Sequence, residues 1–413
     1  MKKLSRFCIV FLSLCLLNCS KNTISESTLS TAEDLDLSFK ALSQDMLFAG
    51  FAVTVVKKDK ILFQSAYGQA DMAKNVPYTN QTLQPIGSIS KTFVGVVLMK
   101  AIEQGHFTLE TPINDILPFK ITNPNVPNSI IRIKHLATHT SGIVDDENVY
   151  LNNYSILAGE NTSRPIAQRM IKELKVGQNG NVWSLPDFLK AYFTVGGQFY
   201  QKTNFLSADA GTTYSYSNIG AALAAYLIEV KTGKSYADYC TENIFKPLGM
   251  NQTTFTITPD SRSKMAMLYF ERNNPFPFYK MATYPDGGLI TSNEDLSKYF
   301  VEMMKGLSGE STFLKKESFD VLFKKQFEVG KMPAQFDGKE DNSGIFWFYF
   351  KNGRLGHTGG DFGVTTIMAF YPDTKTGFIF LTNTETELID NADPIKKQLN
   401  VITSNIKEFE SHN

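Results

Sequence analysis

The two ends of this chain read as strands and its middle reads as helices, which leaves few ways to fold it. Residues 51–56 (FAVTVV) and 61–66 (ILFQSA) flank Lys57 to Lys60 as a hairpin. Near the other end, 345–350 (IFWFYF) runs into Asn352-Gly353, the strongest two-residue hairpin turn signal. Residues 365–371 and 378–382 predict two more strands, joined by 372–377 (PDTKTG). The centre follows a helical pattern. The expected fold is α+β: an α/β sandwich whose antiparallel sheet is formed by both chain ends, with an all-helical subdomain inserted at roughly residues 106–285.

Ahead of the first strand, Lys2, Lys3 and Arg6 precede an apolar run at 7–17 that is too short to cross a bilayer. Residues 16–19 (LLNC) resemble a bacterial lipoprotein cleavage box, with Asn18 where a small residue is expected. Residues 1–18 are therefore expected to be a lipoprotein-type signal peptide and Cys19 the lipidated residue. That places the protein on the periplasmic side of a cell envelope, on a membrane through its N-terminal lipid. Residues 19–35, rich in Ser and Thr, read as a flexible tether. A single domain is expected over 36–400 and a C-terminal tail over 401–413. Cys8 and Cys15 would leave with the leader, so a lipidated Cys19 leaves Cys240 without a partner, as a buried small hydrophobe. A chain of 413 residues, 42% apolar, can build a core without disulfides. Its 41 basic and 41 acidic residues balance, and no basic stripe of the kind nucleic acid needs is present.

Three short motifs carry the chemistry. Ser88 and Lys91 are i, i+3 on a predicted helix that begins at Ser88 and stops at Gly105, so they share a face. A lysine held in a partly dry cleft loses its proton more easily and can accept one from the hydroxyl. Tyr216-Ser217-Asn218 precedes an apolar helix for which Asn218 is a natural N-cap. There a tyrosine can relay protons and an amide can position a carbonyl. His357-Thr358-Gly359-Gly360 follows the Asn352-Gly353 turn on a glycine-rich strand that lets a substrate backbone approach. Each motif has look-alikes. Ser261 and Lys264 repeat the first spacing, and residues 78–80 and 150–152 repeat the second. Lys231-Thr232-Gly233 and Lys375-Thr376-Gly377 resemble the third, but Gly233 reads as a helix C-cap and Lys375 sits at a hairpin tip.

Together these residues resemble the serine β-lactamase-like family, on the branch of class C β-lactamases, D-alanyl-D-alanine carboxypeptidases and related esterases. The resemblance spans roughly residues 40–390. It includes 86–93 (IGSISKTF), 136–142 (LATHTSG), 214–220 (YSYSNIG), 247–250 (PLGM) and 287–289 (GGL). It implies a site in the cleft between the sandwich and a helical region, with Ser88 as acylated nucleophile and Lys91 with Tyr216 as shared base. It further implies an oxyanion hole from the N–H groups of Ser88 and Gly360, and contact of Asn218 with the substrate amide. No cofactor or metal is implied. The expected activity is a serine hydrolase acting on an ester, a D-amino-acid peptide or a related amide. The alternatives are a β-lactamase and a non-catalytic penicillin-binding or sensor protein.

Departures from the family pattern bear on substrate. His357 replaces the usual lysine, and with an unperturbed pKa of ~6.5 it is largely neutral near pH 7. That weakens attraction of an antibiotic carboxylate and favours esterase and peptidase readings. Ala210 stands for Pro before Gly211, and Asp286 for Ala before Gly287. Neither is expected to touch the chemistry, though Asp286 would alter the cleft rim. His135 and His139, four residues apart, read as structural rather than zinc-binding, since no Glu stands between them in the needed position. Residues 143–210 are expected to roof the cleft and set substrate size.

Overall fold

The computed structural model describes residues 28–180, 182–336, 338, 340–386 and 393–413. The leader, Cys19 and the first part of the tether lie outside the described residues. Eight strands form the main sheet: β1 (Gly50–Lys57), β2 (Lys60–Asp71), β3 (Val76–Pro77), β4 (Glu340–Ser343), β5 (Phe348–Phe350), β6 (Leu355–Asp361), β7 (Val364–Tyr371) and β8 (Thr376–Thr382). Their order is β4-β5-β6-β7-β8-β1-β2-β3. The closure runs through β1 and β8, antiparallel with Phe51 opposite Thr382, so both chain ends do build one sheet.

Side-chain alternation explains the layers. Phe51, Val53, Val55, Phe378 and Phe380 point to a core shared with α1 (Ala32–Gln44) and α6 (Asp393–His412). Met368, Phe370, Ile379 and Leu381 point the other way, into the core that holds α2 (Ser90–Glu103), α3 (Asn218–Thr232), α4 (Asn293–Ser308) and α5 (Lys316–Phe323). With both faces covered, these strands read as continuous apolar runs although they are antiparallel. The inserted region is mainly helical and adds short ribbons, such as Tyr154–Ile156 against Tyr279–Met281.

The chain's last stretch differs from expectation. Residues 401–413 are not a tail, because they make up the second half of α6, with Ile402, Ile406 and Phe409 buried against the sheet. Apolar residues at 395, 399, 402, 406 and 409 repeat at helical spacing, and each contributes roughly 1.5–3 kcal/mol of burial before entropy is counted. Glu410 of α6 pairs with the buried guanidinium of Arg354, just ahead of β6. At the front, α1 starts at Ala32 behind a Thr31–Asp34 capping box, inside the stretch expected to be tether.

Two local features set up the site. The segment 345–350 is not one strand: Phe346 adopts a positive φ of 57° and β5 starts at Phe348. β5 then pairs with Leu355 and Gly356. Beyond Gly356, the paired side of β6 is the β7 side, where His357 faces Met368 and Gly360 faces Thr365.

Candidate active site

Ser88 sits in a tight 3-10 turn, Gly87–Ile89, that opens into α2 at Ser90, one step later than the expected helix start. Gly87 takes a left-handed φ of 55° to make that turn. Separate segments fix it. The Ile86 N–H donates to Leu289 O at 3.0 Å, the Thr366 hydroxyl donates to Ile86 O at 2.8 Å, and the Ser90 hydroxyl donates to Gly87 O at 2.7 Å. One turn on, Lys91 is wholly buried. Its ammonium donates to Ser88 Oγ at 3.0 Å, Asn218 Oδ1 at 2.7 Å and the Asp286 carbonyl at 2.7 Å. Burial pushes the Lys91 pKa below its ordinary value, while the carboxylates of Asp286, Asp145 and Asp361 pull it back up.

Asn218 can reach Lys91 because it does not cap its helix. Ser217 is the N-cap, its Oγ accepting from Gly220 N–H at 2.8 Å, and Asn218 is the first helical residue. The Asp145 carboxylate clamps this helix start. It accepts from Ser217 Oγ at 2.6 Å, Asn218 N–H at 2.6 Å and Ile219 N–H at 3.2 Å. Tyr216 lies under the lysine, with Nζ 5.1 Å from its ring centre, and leans on His139 at 4.5 Å. Burial pushes its phenol well above the ordinary value, with a hydrogen bond to Ser88 acting the other way.

β6 packs against the Ser88 turn. An ideal Cβ on Gly87 would come within 2.9 Å of Gly360 N, and one on Gly359 within 3.1 Å of Ser88 N. The peptides carrying Ser88 N–H and Gly360 N–H are therefore packed directly together. His357 is buried, its ring 4.6 Å from Phe348 and 6.3 Å from Tyr216. Burial first, and Lys91 second, push its imidazole down to about 3, so it is neutral. Thr358 and Gly360 are half-buried on the alternate positions. The look-alikes lie elsewhere. Gly233 is the left-handed cap of α3, Lys375 lies in the β7–β8 turn, and Lys264 pairs with exposed Asp260.

A family model described as Beta-lactamase matches residues 38–399. The chain belongs to the beta-lactamase family. It is 24% identical over 339 residues to the D-alanyl-D-alanine-carboxypeptidase/endopeptidase AmpH of Escherichia coli (strain K12), covering 81% of this chain and 79% of that protein. Among solved structures, it resembles the octameric penicillin-binding protein homologue from Pyrococcus abyssi at a TM-score of 0.66 and 22% identity, covering 90% of this chain and 76% of that one. It also resembles a beta-lactamase/D-alanine carboxypeptidase from Yersinia pestis at a TM-score of 0.61 and 20% identity, covering 89% and 96%. The fold is thus β-lactamase/transpeptidase-like, and Ser88, Lys91, Tyr216, Asn218 and His357 lie together where α2, the start of α3 and β6 meet.

Within this family member, three residues at the site were not singled out from sequence as part of its chemistry. Asp145 lacked any signal beyond lying after Ser141-Gly142. Tyr150 donates to Asp286 Oδ1 at 2.9 Å from a segment expected only to roof the cleft. Asp286 is not at the rim, because it is buried and its carbonyl holds Lys91. The His135 and His139 pair is split: the helix Ile133–Ala137 ends between them and His139 takes a φ of 54°. Their Nδ1 atoms accept from the N–H groups of Arg132 and Ser217, both at 3.2 Å.

Proposed function

We propose that this chain is a serine hydrolase that works through an acyl-enzyme on Ser88, acting on an ester, a D-amino-acid peptide or a related amide. The observation that carries the reading is the Lys91 Nζ to Ser88 Oγ contact at 3.0 Å, where Asn218 and Asp286 hold the same buried nitrogen. Burial acts oppositely on the two candidate bases, lowering Lys91 and raising Tyr216. Lys91, once neutral, is therefore the proton acceptor, and Tyr216 stays a phenol able to hand a proton to the leaving group. Ser88 Oγ attacks the carbonyl as its proton moves to Lys91. The new oxyanion rests between the N–H groups of Ser88 and Gly360, whose peptides touch. The leaving oxygen or nitrogen departs with a proton delivered through Tyr216. That relay leaves Lys91 neutral again; water then attacks the acyl ester as its proton moves to Lys91, and the bond to Ser88 Oγ breaks as Lys91 returns the proton to that oxygen, freeing the acid.

A neutral His357 offers a substrate carboxylate no charge, which favours the esterase and D-peptidase readings over β-lactam hydrolysis. We place the protein at the periplasmic face of a cell envelope, lipid-anchored through Cys19, on the strength of its leader and of residues 16–19 (LLNC). Intact-mass analysis after exposure to a fluorophosphonate, a penicillin and a short-chain p-nitrophenyl ester tests the function. An adduct present in Ser261→Ala and lost in Ser88→Ala is expected. No adduct and no ester turnover in the wild type would turn the reading to a non-catalytic binder, and a penicillin adduct that hydrolyses rapidly would turn it to a β-lactamase.

A further inference from the structure

Asp286 stands where the family usually carries alanine, and its side chain is buried at 1% exposure. A carboxyl group in such a place needs partners. Its Oδ1 accepts from the Tyr150 hydroxyl at 2.9 Å, while its own main-chain oxygen takes a hydrogen bond from Lys91 at 2.7 Å. Resting on the serine-hydrolase reading above, we propose that the Asp286 carboxylate, oriented by Tyr150, is a positioning residue that sets the pH at which Lys91 becomes the base for acylation.

The charges around it define the effect. Lys91 faces it from α2, Asp145 and Tyr150 from the segment before the ribbon, and Tyr154 from the ribbon strand Tyr154–Ile156. Tyr216 faces it from the turn ahead of α3 and Asp361 from the end of β6. Lys91 is the cation of the group, flanked by His139 and His357, both held neutral by burial. The three carboxylates are not equivalent. Asp145 spends its oxygens on three donors at the start of α3. Asp361 is pushed up to about 7 by burial, with Asp286 adding to the push. Asp286 is the largest of the three electrostatic influences on Lys91. Burial pushes Asp286 itself up to about 6, against the pull of Lys91, so above that pH its negative charge favours the ammonium, opposes the burial that favours the amine, and fixes the onset of acylation.

The sign follows. Removing the negative charge lets burial win, and Lys91 deprotonates at lower pH. Acylation of Ser88 by a fluorophosphonate, followed from pH 5 to 10, should rise with pH in the wild type as Lys91 loses its proton. In Asp286→Asn that rise should move down by about one pH unit, making the variant roughly tenfold faster than wild type on the acid side of the rise above about pH 6, with the advantage fading below it as Asp286 of the wild type takes up a proton. Tyr150→Phe leaves the carboxyl in place but removes its hydrogen bond, so a smaller move in the same direction is expected. It also keeps the test open should Asp286→Asn fail to fold. A uniform loss of rate with an unmoved profile in both variants would make Asp286 a packing residue and overturn the proposal, as would a move to higher pH. If the wild type does not react at all, the hydrolase reading fails instead. NMR titration of 15N-labelled lysine then still decides, because an unchanged Lys91 pKa in Asp286→Asn or Tyr150→Phe overturns the proposal and a lowered one upholds it.

Discussion

Gly359→Ala is the sharpest probe of how β6 meets the nucleophile. An ideal Cβ at this position lies 2.2 Å from Ile86 O and 2.4 Å from Thr366 Oγ1, as well as 3.1 Å from Ser88 N. The first obstacle is backbone. The second is fixed by its own hydrogen bonds to Ile86 O at 2.8 Å and Gly359 O at 3.3 Å. Neither can swing aside, so β6 and the Ser88 turn must part by on the order of 1 Å to restore ordinary contact. That displacement falls directly on the pair of N–H groups assigned to the oxyanion. Loss of one such donor costs about 100- to 1,000-fold in rate, or ~3–4 kcal/mol. Overpacking should also lower stability by about 1–3 kcal/mol. The assay is the burst of p-nitrophenol from a short-chain ester, read beside thermal unfolding. Gly105→Ala is the control, since Gly105 has a φ of 80° but open space around it. It should lose about 1–2 kcal/mol to backbone strain and none of the burst rate. A Gly359→Ala protein that acylates within about threefold of wild type would refute the argument that close packing of these peptides builds the oxyanion site.

Two further outcomes follow from buried titrating groups. Because His357 is pushed down to about 3, it should contribute no inflection near its ordinary 6.5, and His357→Gln should leave the profile's shape between pH 5 and 8 unchanged; an inflection present in wild type and absent in the variant would contradict this. Asp361 is raised from 3.8 to about 7, so the folded state holds a proton that the unfolded chain releases. Stability should therefore fall as pH climbs from ~4 to ~7, by at most about 4 kcal/mol. Asp361→Asn should flatten that slope in urea unfolding at pH 5 and pH 8, and an equal slope in both proteins would refute the shift.

Much of the frame was legible because it rests on local patterns. The FAVTVV and ILFQSA strands, the Asn352-Gly353 turn and the strands beyond it announce themselves within a few residues, and their pairing follows from there being few other strands to pair with. Ser88, Lys91, Tyr216, Asn218 and His357 were legible as short motifs in order, and the fold brings them together. What escaped was set by tertiary contact. Asp145 and Tyr150 have no local signature, since their meaning comes from α3 and from Asp286. Asp286 was read as a rim residue because burial cannot be seen from a Pro-Asp-Gly-Gly run that looks like an exposed turn. Ser217 and Asn218 are equally good caps by composition, and the clamp from Asp145 goes with the choice of Ser217. The last helix escaped because residues 401–413 were set aside as a tail, although their apolar positions continue a helical face whose meaning lies in the sheet they cover.

The sheet closed by both chain ends also carries a consequence for timing. Ser88 belongs to the first quarter of the polypeptide, yet the strand that completes its site ends at Asp361, and that strand is braced by Glu410 through Arg354. A chain emerging from the ribosome holds Ser88 long before it holds the Gly360 peptide that packs against it. Closing contacts so distant in sequence is slow and comes late. On the serine-hydrolase reading proposed above, Ser88 would gain its oxyanion partner only once β6, and the Glu410 contact that braces it through Arg354, are in place.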